Sequence, residues 1–472
     1  MLEVTRWARN EFGAADLRDK RRTKRVVEIA ARAAERPAGQ VTAVVRDEAE
    51  REAAFRFLRN PRVEAAALAK SSHDATFRRC AEWKRVLVAI DQSSLGVTDR
   101  THGKKDFGRV GTPRDGLTRG LQAMTALAIS EEGRVVGVCG QRWWSRDEKS
   151  PDIKQDQRSA EDRESSLWPG VIKDVEKGLR EHGCRTRAWY QMDRGADAQH
   201  ILKLASREGL LVTIRAAHDR ALADEGNSRK LRETVRSKKP AGSFSLRFSA
   251  GAARRRGHSP LRPRHLAVRS CKVTLKLTDW GNHHGAVWEP AEYWVVHVRE
   301  RRPPPGAERL EWFLLTTHPV LSADDALSVA QAYSLRWRVE EFHKTWKSGA
   351  CNIEQSQLRK AEHFKRWATI LAAVAARIEQ LKYAARHDPK APALTYATRD
   401  EVDAAIVLTP RCKWKVGAKL TIEQFVLLTA NIGGYTGRSS GGPPGSIVIA
   451  RGLDRVEAGA TALAAVRGAE KM

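Results

Sequence analysis

The chain lacks any apolar run long enough to cross a bilayer. A helical span needs about 20 apolar residues, and the most apolar stretch, Ala368 to Ala376, has nine and is mostly Ala. No secretory leader is expected, because Met1 to Arg25 is crowded with Arg and Lys and has no apolar h-region; a cytoplasmic location follows. Cysteine is sparse. The six, at positions 80, 139, 184, 271, 351 and 412, include no CxxC pair, which argues against a zinc site and against a disulfide framework. There is no internal repeat and no long low-complexity tract. Acid is the minority charge: 57 Asp and Glu face 84 Lys and Arg, a net +27.

A globular protein this basic usually meets a polyanion, and nucleic acid is the commonest. With 41% hydrophobic and 30% charged residues over 472 positions, the chain has room for about three domains, each with its own core. Residues 1 to about 80 read as helical. Arg18, Arg21, Arg22 and Arg25 recur at i, i+3, i+4 and i+7, one basic stripe beside an apolar one of Val26, Ala30 and Ala33. A second helix runs from Glu48 to Arg59 and stops at Asn60-Pro61. The pattern suits a small DNA-binding module, although a solvated helix face would show the same spacing.

From about residue 84 the pattern changes. Val86 to Ile90 is a buried-type strand ending at Asp91, and Leu121 to Ile129 and Arg134 to Trp144 are strands joined by the turn Glu131-Glu-Gly133. Helix at Arg163 to His182, strand at Thr186 to Met192 ending at Asp193, helix at Ala196 to Glu208 and strand at Leu210 to Arg215 follow. The mixture predicts an α/β fold with a mixed sheet. Residues ~220 to 320 read as a basic, β-rich insertion: Arg229 to Lys272 holds 14 Lys or Arg against one acid, Glu233. Strands are expected at Leu266 to Leu277, Tyr293 to Val298 and Leu310 to Thr317, with Arg254 to Pro263 a loop that orders on a phosphate backbone. Helices return at the N-cap Ser322, one running to about Lys347 and a second from Leu358 to Arg386. A linker spans His387 to Asp400, and Thr421 to Glu470 is helical, broken at Gly433-Gly434 and at Gly441 to Gly445.

Acids at strand ends in so basic a chain suggest metal-dependent phosphodiester chemistry, since Mg²⁺ takes hard oxygen ligands and two such ions can serve the attacking and leaving oxygens. Asp91 and Asp193 are the candidates, although one Asp after a strand is more often a turn residue. A third acid comes from the helix Tyr333 to Lys347. At ~100° per residue, Tyr333, Arg336, Glu340, His343, Lys344 and Lys347 share one arc, and Leu335, Val339, Phe342 and Trp346 the adjacent one. Glu341 points away, so Glu340 is the preferred ligand; an ordinary amphipathic helix with ion pairs would look similar.

The spacing Tyr-x2-Arg-x3-Glu-x6-Lys at Tyr333, Arg336, Glu340 and Lys347 resembles the signature of the bacterial cut-and-paste DDE transposases of the insertion-sequence-four family. Asp193-Arg194 with Ala196-Asp197, Trp143-Trp144, Arg56-Phe57 with Arg59-Asn60-Pro61, Arg21-Arg22-Thr23 and Ile432-Gly433-Gly434 extend the likeness over nearly the whole chain. The resemblance implies a ribonuclease-H-like catalytic core (about 81–385, with the insertion at about 220–320) between an N-terminal DNA-end-binding helical domain (1–80) and a C-terminal helical dimerisation domain (386–472). It implies Asp91, Asp193 and Glu340 as the metal triad, two Mg²⁺ ions with Mn²⁺ as a substitute, and double-stranded DNA as the partner, both transposon ends and target. Arg22, Arg25 and Arg56 would recognise the end; Arg215, Tyr333, Arg336, Lys344 and Lys347 would hold phosphates; Trp312 would stack on a flipped base. A homodimer in a synaptic complex, acting at the bacterial nucleoid, completes the picture. The alternatives are a nuclease or resolvase of the same core without strand transfer, and a catalytically silent DNA-binding regulator. Three departures stand out: Gly195 where the family carries Glu, no Trp pair near Leu121-Gln122, and Glu35 and Arg36 where Lys and Tyr contacts are expected.

Overall fold

The computed structural model describes residues 2–99, 103–110, 118–145, 166–223, 230–246, 264–278, 288–303, 305, 309–437 and 442–469. The basic loop Arg254 to Pro263 lies outside the described residues. Five helices open the chain: α1 (Leu2–Phe12), α2 (Lys20–Glu35), α3 (Val41–Val44), α4 (Glu48–Arg59) and α5 (Ala65–Cys80). The sequence spacing is realised closely in α4, whose N-cap Asp47 accepts from the Glu50 amide at 2.8 Å. In α2 the expected apolar stripe of Val26, Ala30 and Ala33 is buried.

One mixed sheet organises the middle of the chain. Its strands are β1 (Arg85–Thr98), β2 (Gly108–Arg109), β3 (Thr118–Ile129), β4 (Val135–Trp144), β5 (Arg187–Met192), β6 (Leu211–Arg215), β7 (Gly242–Leu246), β8 (Arg264–Thr278), β9 (Trp288–Glu300) and β10 (Glu311–Thr316). The helices α6 (Leu167–Glu181), α7 (Gln199–Arg207) and α8 (Leu231–Arg236) lie between them in sequence. β1 pairs antiparallel with β3 and β3 with β4, whereas β1, β5 and β6 run parallel. The order β4-β3-β1-β5-β6 with these directions is that of a ribonuclease-H-like core. The β3–β4 turn works because Gly133 takes φ +91°, where a side chain would be strained.

The strand expected to end at Asp91 runs further. Asp91 does not end its strand: β1 continues to Thr98, because beyond Ile90 it leaves its parallel partner β5 and still pairs with β3. The strands of the β-rich insertion join the core sheet. β10 pairs antiparallel with β6, and the order continues β10-β9-β8-β7, so the same sheet simply extends from the core's edge strand. The extension removes an exposed edge that would otherwise invite pairing with another chain.

The C-terminal part holds α9 (Ala323–Ser334), α10 (Trp337–Lys347), α11 (Ala361–His387), α12 (Arg399–Val407), α13 (Ile422–Ile432) and α14 (Ser446–Ala469). The single helix expected up to Lys347 is thus two. Ser322 and Asp325 form a capping box that starts α9. At Leu335 and Arg336 the turn tightens: Arg336 N bonds Tyr333 O at 3.1 Å and Val339 N bonds Arg336 O at 3.0 Å, three residues back rather than four. The packing explains the break, since α9 rests on β7, β8 and β9 while α10 rests on β1, β3 and α11.

The Ala-rich α11 is buried for most of its length. Its Trp367 Nε1 donates to Gly39 O at 2.8 Å and its Arg366 Nη1 to Leu58 O at 2.6 Å, which fastens the N-terminal helices to the core. Glu35 is buried beside Arg32, and Arg36 pairs with Glu457 of α14 at 3.6 Å, so this family departure faces the last helix. Among the described residues no helix is long and apolar enough to cross a membrane.

Candidate active site

The strand register brings two acids together. Ile90 lies opposite Met192 in the parallel β1–β5 pair, so Asp91 and Asp193 are the next residues on adjacent strands although 102 positions separate them. Asp193 turns out of β5 and accepts from the Gly195 amide at 2.8 Å. A Cβ on residue 195 would stand 3.0 Å from Asp193 Oδ1 and 3.4 Å from Trp168, so the glycine departure fits a crowded turn.

The third acid is delivered by α10, which is held down by fully buried Val339, Phe342 and Trp346, each contributing about 1.5–3 kcal/mol of burial. Trp346 Nε1 donates to Ala368 O at 2.9 Å. Thr345 Oγ1 donates to buried Glu379, which also receives Lys382 Nζ at 2.6 and 2.8 Å. This anchorage holds Glu340 where the charges of Asp91 and Asp193 act on its carboxyl. Glu341 instead pairs with Arg338 at 2.8 Å.

Arg336 stands among the three acids. It is ion-paired with Glu340, and its Nη1 lies 4.0 Å from Asp91 Oδ1. Burial raises the Asp193 carboxyl above its ordinary range and the charge of Asp91 raises it further, while Gly195, Arg336 and Arg215 pull it back. Glu340 is likewise raised by burial, with Asp91 and Asp193 adding and Arg336 opposing. Burial works against the Arg336 charge, yet Tyr333, Glu340, Asp91 and Asp193 together hold its guanidinium above the usual arginine range. Arg336 thus answers all three carboxylates, and Arg215 adds a second positive charge beside Asp193.

Beside this cluster a cavity of about 800 Å³ is lined by Arg215, Trp312, Tyr333, Arg336 and Glu340, and also by Arg194, Arg232 and Arg236. Burial raises the Tyr333 phenol and lowers the Arg215 guanidinium. Trp312 is 7% exposed and packs edge-to-face on Tyr333 with ring centroids 5.3 Å apart. The indole is therefore a wall of the cavity rather than a free surface ring.

Residues 172–376 match the model of the transposase DDE domain, and residues 4–63 that of the transposase DNA-binding domain. Both matched models are of transposase domains. Asp193 and Glu340 fall within the matched DDE stretch, and Asp91 reaches them from outside it through the sheet.

Not every sequence candidate gathers at the cavity. Lys344 is exposed on α10, and Lys347 lies half-buried with Nζ 3.9 Å from Glu354; neither lines the cavity. Arg22, Arg25 and Arg56 sit on α2 and α4, helices in mutual contact. Arg22 Nη1 donates to Leu17 O at 2.8 Å, Arg25 pairs with Glu28 at 2.9 Å, and Arg56 is 72% exposed.

Sequence reasoning missed Asp197 as a structural hub. Its buried carboxylate accepts from the amides of Ala217 and His218 at 2.7 and 2.9 Å and from Arg220 at 2.6 and 2.9 Å. It staples the turn after Asp193 to the segment after Arg215. Arg232 and Arg236 were also missed; both lie over the Phe313 ring, at 5.3 and 5.0 Å. Their i, i+4 spacing in the basic stretch was the available signal.

Proposed function

We propose that this transposase cuts DNA at the ends of its element and joins the freed 3′ ends to target DNA, with Asp91, Asp193 and Glu340 as the catalytic acids. The observation that carries the reading is the convergence of these three carboxylates, from distant chain positions, on a single Arg336. The motif likeness further points to the insertion-sequence-four family and, within it, to the transposon-five transposase. Among the described residues no three acid, imidazole or thiol side chains form a ready-made metal cage. The donor set nonetheless fits a hard divalent cation: the acids offer oxygen only, and burial, with the mutual repulsion of the acids added, raises Asp193 and Glu340, a cost that a bound cation relieves. Asp91, Asp193 and Glu340 would hold two Mg²⁺ ions, with Mn²⁺ able to replace them. Such ions activate an attacking oxygen and stabilise a leaving one.

The chain's own residues supply the rest. Guanidinium groups of Arg215 and Arg336 face the cavity beside the acids and grip phosphate oxygens, which fixes the scissile strand for in-line displacement. Lys344 and Lys347 meet the phosphates farther along the duplex, and the Tyr333 phenol donates a hydrogen bond. Hydrolysis nicks one strand; the new 3′-hydroxyl attacks the opposite strand and closes a hairpin; the hairpin is reopened and the 3′ end attacks target DNA. Trp312 stacks on a base flipped out of the strained hairpin end, contributing about 1–3 kcal/mol. Arg22, Arg25 and Arg56 bind the element end. The transposase works as a homodimer at the nucleoid, pairing two ends through its C-terminal helices.

The test is substitution of each acid. Alanine at position 91, 193 or 340 should abolish cleavage of end DNA while the affinity for that DNA stays near wild type, and Glu341→Ala should still cut. Normal cutting by Glu340→Ala, with loss in Glu341→Ala, would refute the assignment of the third ligand.

A further inference from the structure

Beneath α10 runs a polar row that the reading above leaves unused. The sheet register sets Asp91 opposite Thr125 and Thr125 opposite Gln141. Their neighbours two residues away, Ala89, Ala123, Leu127 and Trp143, pack with Val339, Phe342 and Trp346, so the row lies on the face that α10 covers. His343 comes down onto this face. It is 6% exposed, its ring lies 6.4 Å from Trp346 in a stacked arrangement, and its Nδ1 stands 3.6 Å from Asp91 Oδ2.

Two features make His343 more than packing. First, three buried atoms here make no hydrogen bond: His343 Nε2, Thr125 Oγ1 and Gln141 Nε2. An unmet buried polar atom costs about 1–3 kcal/mol, so a helix position serving the core alone would favour Leu or Phe. Second, Asp91 is bracketed by two donors that both stop short of hydrogen-bond distance, His343 Nδ1 at 3.6 Å and Arg336 Nη1 at 4.0 Å. Arg336 Nη1 itself makes no hydrogen bond.

We propose that His343 is a positioning residue for Asp91. It carries its hydrogen on Nδ1 and, when the 3.6 Å gap to Asp91 Oδ2 closes, donates a hydrogen bond there, which leaves Oδ1 free to act as a ligand. An ionised carboxylate only accepts hydrogen bonds, so the nitrogen facing it bears the hydrogen. When a phosphate draws Arg336 away, His343 is the donor that keeps Asp91 in place. Such outer partners of metal-binding carboxylates commonly set affinity by 10–100-fold. This inference rests on Asp91 being a metal ligand.

The experiment is a Mn²⁺ titration of the full-length chain, with free Mn²⁺ followed by electron paramagnetic resonance. It compares wild type, Asp91→Asn, His343→Phe, His343→Asn and His343→Gln, with melting temperatures in parallel. His343→Phe fills the space without a nitrogen and should weaken Mn²⁺ binding about 10-fold or more with no loss of melting temperature. His343→Asn, whose amide nitrogen falls near Nδ1, should restore affinity, and His343→Gln should not. Wild-type affinity in His343→Phe, or Asn and Gln variants equally weak with lowered melting, would overturn the positioning role while leaving the metal site standing. Identical binding by wild type and Asp91→Asn would instead overturn the metal reading, and the inference with it.

Discussion

Replacing Arg336 by Met, which keeps most of the volume and removes the charge, isolates the electrostatics of the acid cluster. Unit charges 4.0 Å apart, the Arg336–Asp91 separation, attract by about 4 kcal/mol at an effective dielectric constant of about 20. The Arg336 side chain is 13% exposed and Glu340 31%, so screening reduces the contribution of that second pair. Breaking a buried pair costs about 3–5 kcal/mol; about 3 is the figure to expect here. For a cooperative unit of roughly 300 residues, an unfolding entropy of about 2.1 cal/mol/K per residue converts this into a melting temperature lower by roughly 5 °C. The loss depends on pH. Asp193 and Glu340 carry carboxyls raised above their ordinary range, and a carboxyl raised in the folded state favours folding at low pH, an advantage lost as pH rises through its folded value. Removing Arg336 raises both further. The deficit should therefore be largest at about pH 8 and shrink toward about pH 5, and Mg²⁺ should recover part of it at the higher pH. The assay is thermal unfolding of wild type and variant in chelator-treated buffer across that range, with and without Mg²⁺. Melting within about 1 °C of wild type at every pH would refute the view of Arg336 as the cluster's internal counter-ion.

Arg56, exposed at the end of α4, should lower the log–log salt slope of end-DNA binding by about 0.9 when changed to Ala, the value for one lost phosphate contact, without changing the melting temperature; an unchanged slope removes it from the interface. Trp312→Ala should nick end DNA normally yet accumulate little hairpin, and because the indole is 7% exposed it should also destabilise the fold by about 3–5 kcal/mol. Equal hairpin yields from a precleaved end with Mg²⁺ would leave Trp312 with its packing role alone.

Side-chain direction along a single element is a local property, and it was legible from the residues: the α4 boundaries, the buried stripe of α2, the core strands, and the arc that sets Glu340 apart from Glu341. Motif spacing within about 15 residues carries the same kind of information, which is why the Tyr333 to Lys347 segment was legible. The rest is set between elements. The pairing of Ile90 with Met192 puts Asp91 beside Asp193 in the middle of a strand that the apolar pattern ended too early, because a polar residue facing a helix interrupts the pattern without interrupting the ladder. The change of packing partner between α9 and α10 breaks a helix that neither Gly nor Pro marks. The β10–β6 pairing makes the insertion part of the core sheet, and the contacts of Tyr333 turn Trp312 into a cavity wall. Register and packing are settled by groups distant in the chain, 102 positions apart for Asp91 and Asp193, whose distances no local periodicity encodes, and the charges that Arg336 balances become neighbours only once the sheet and the helix above it have closed.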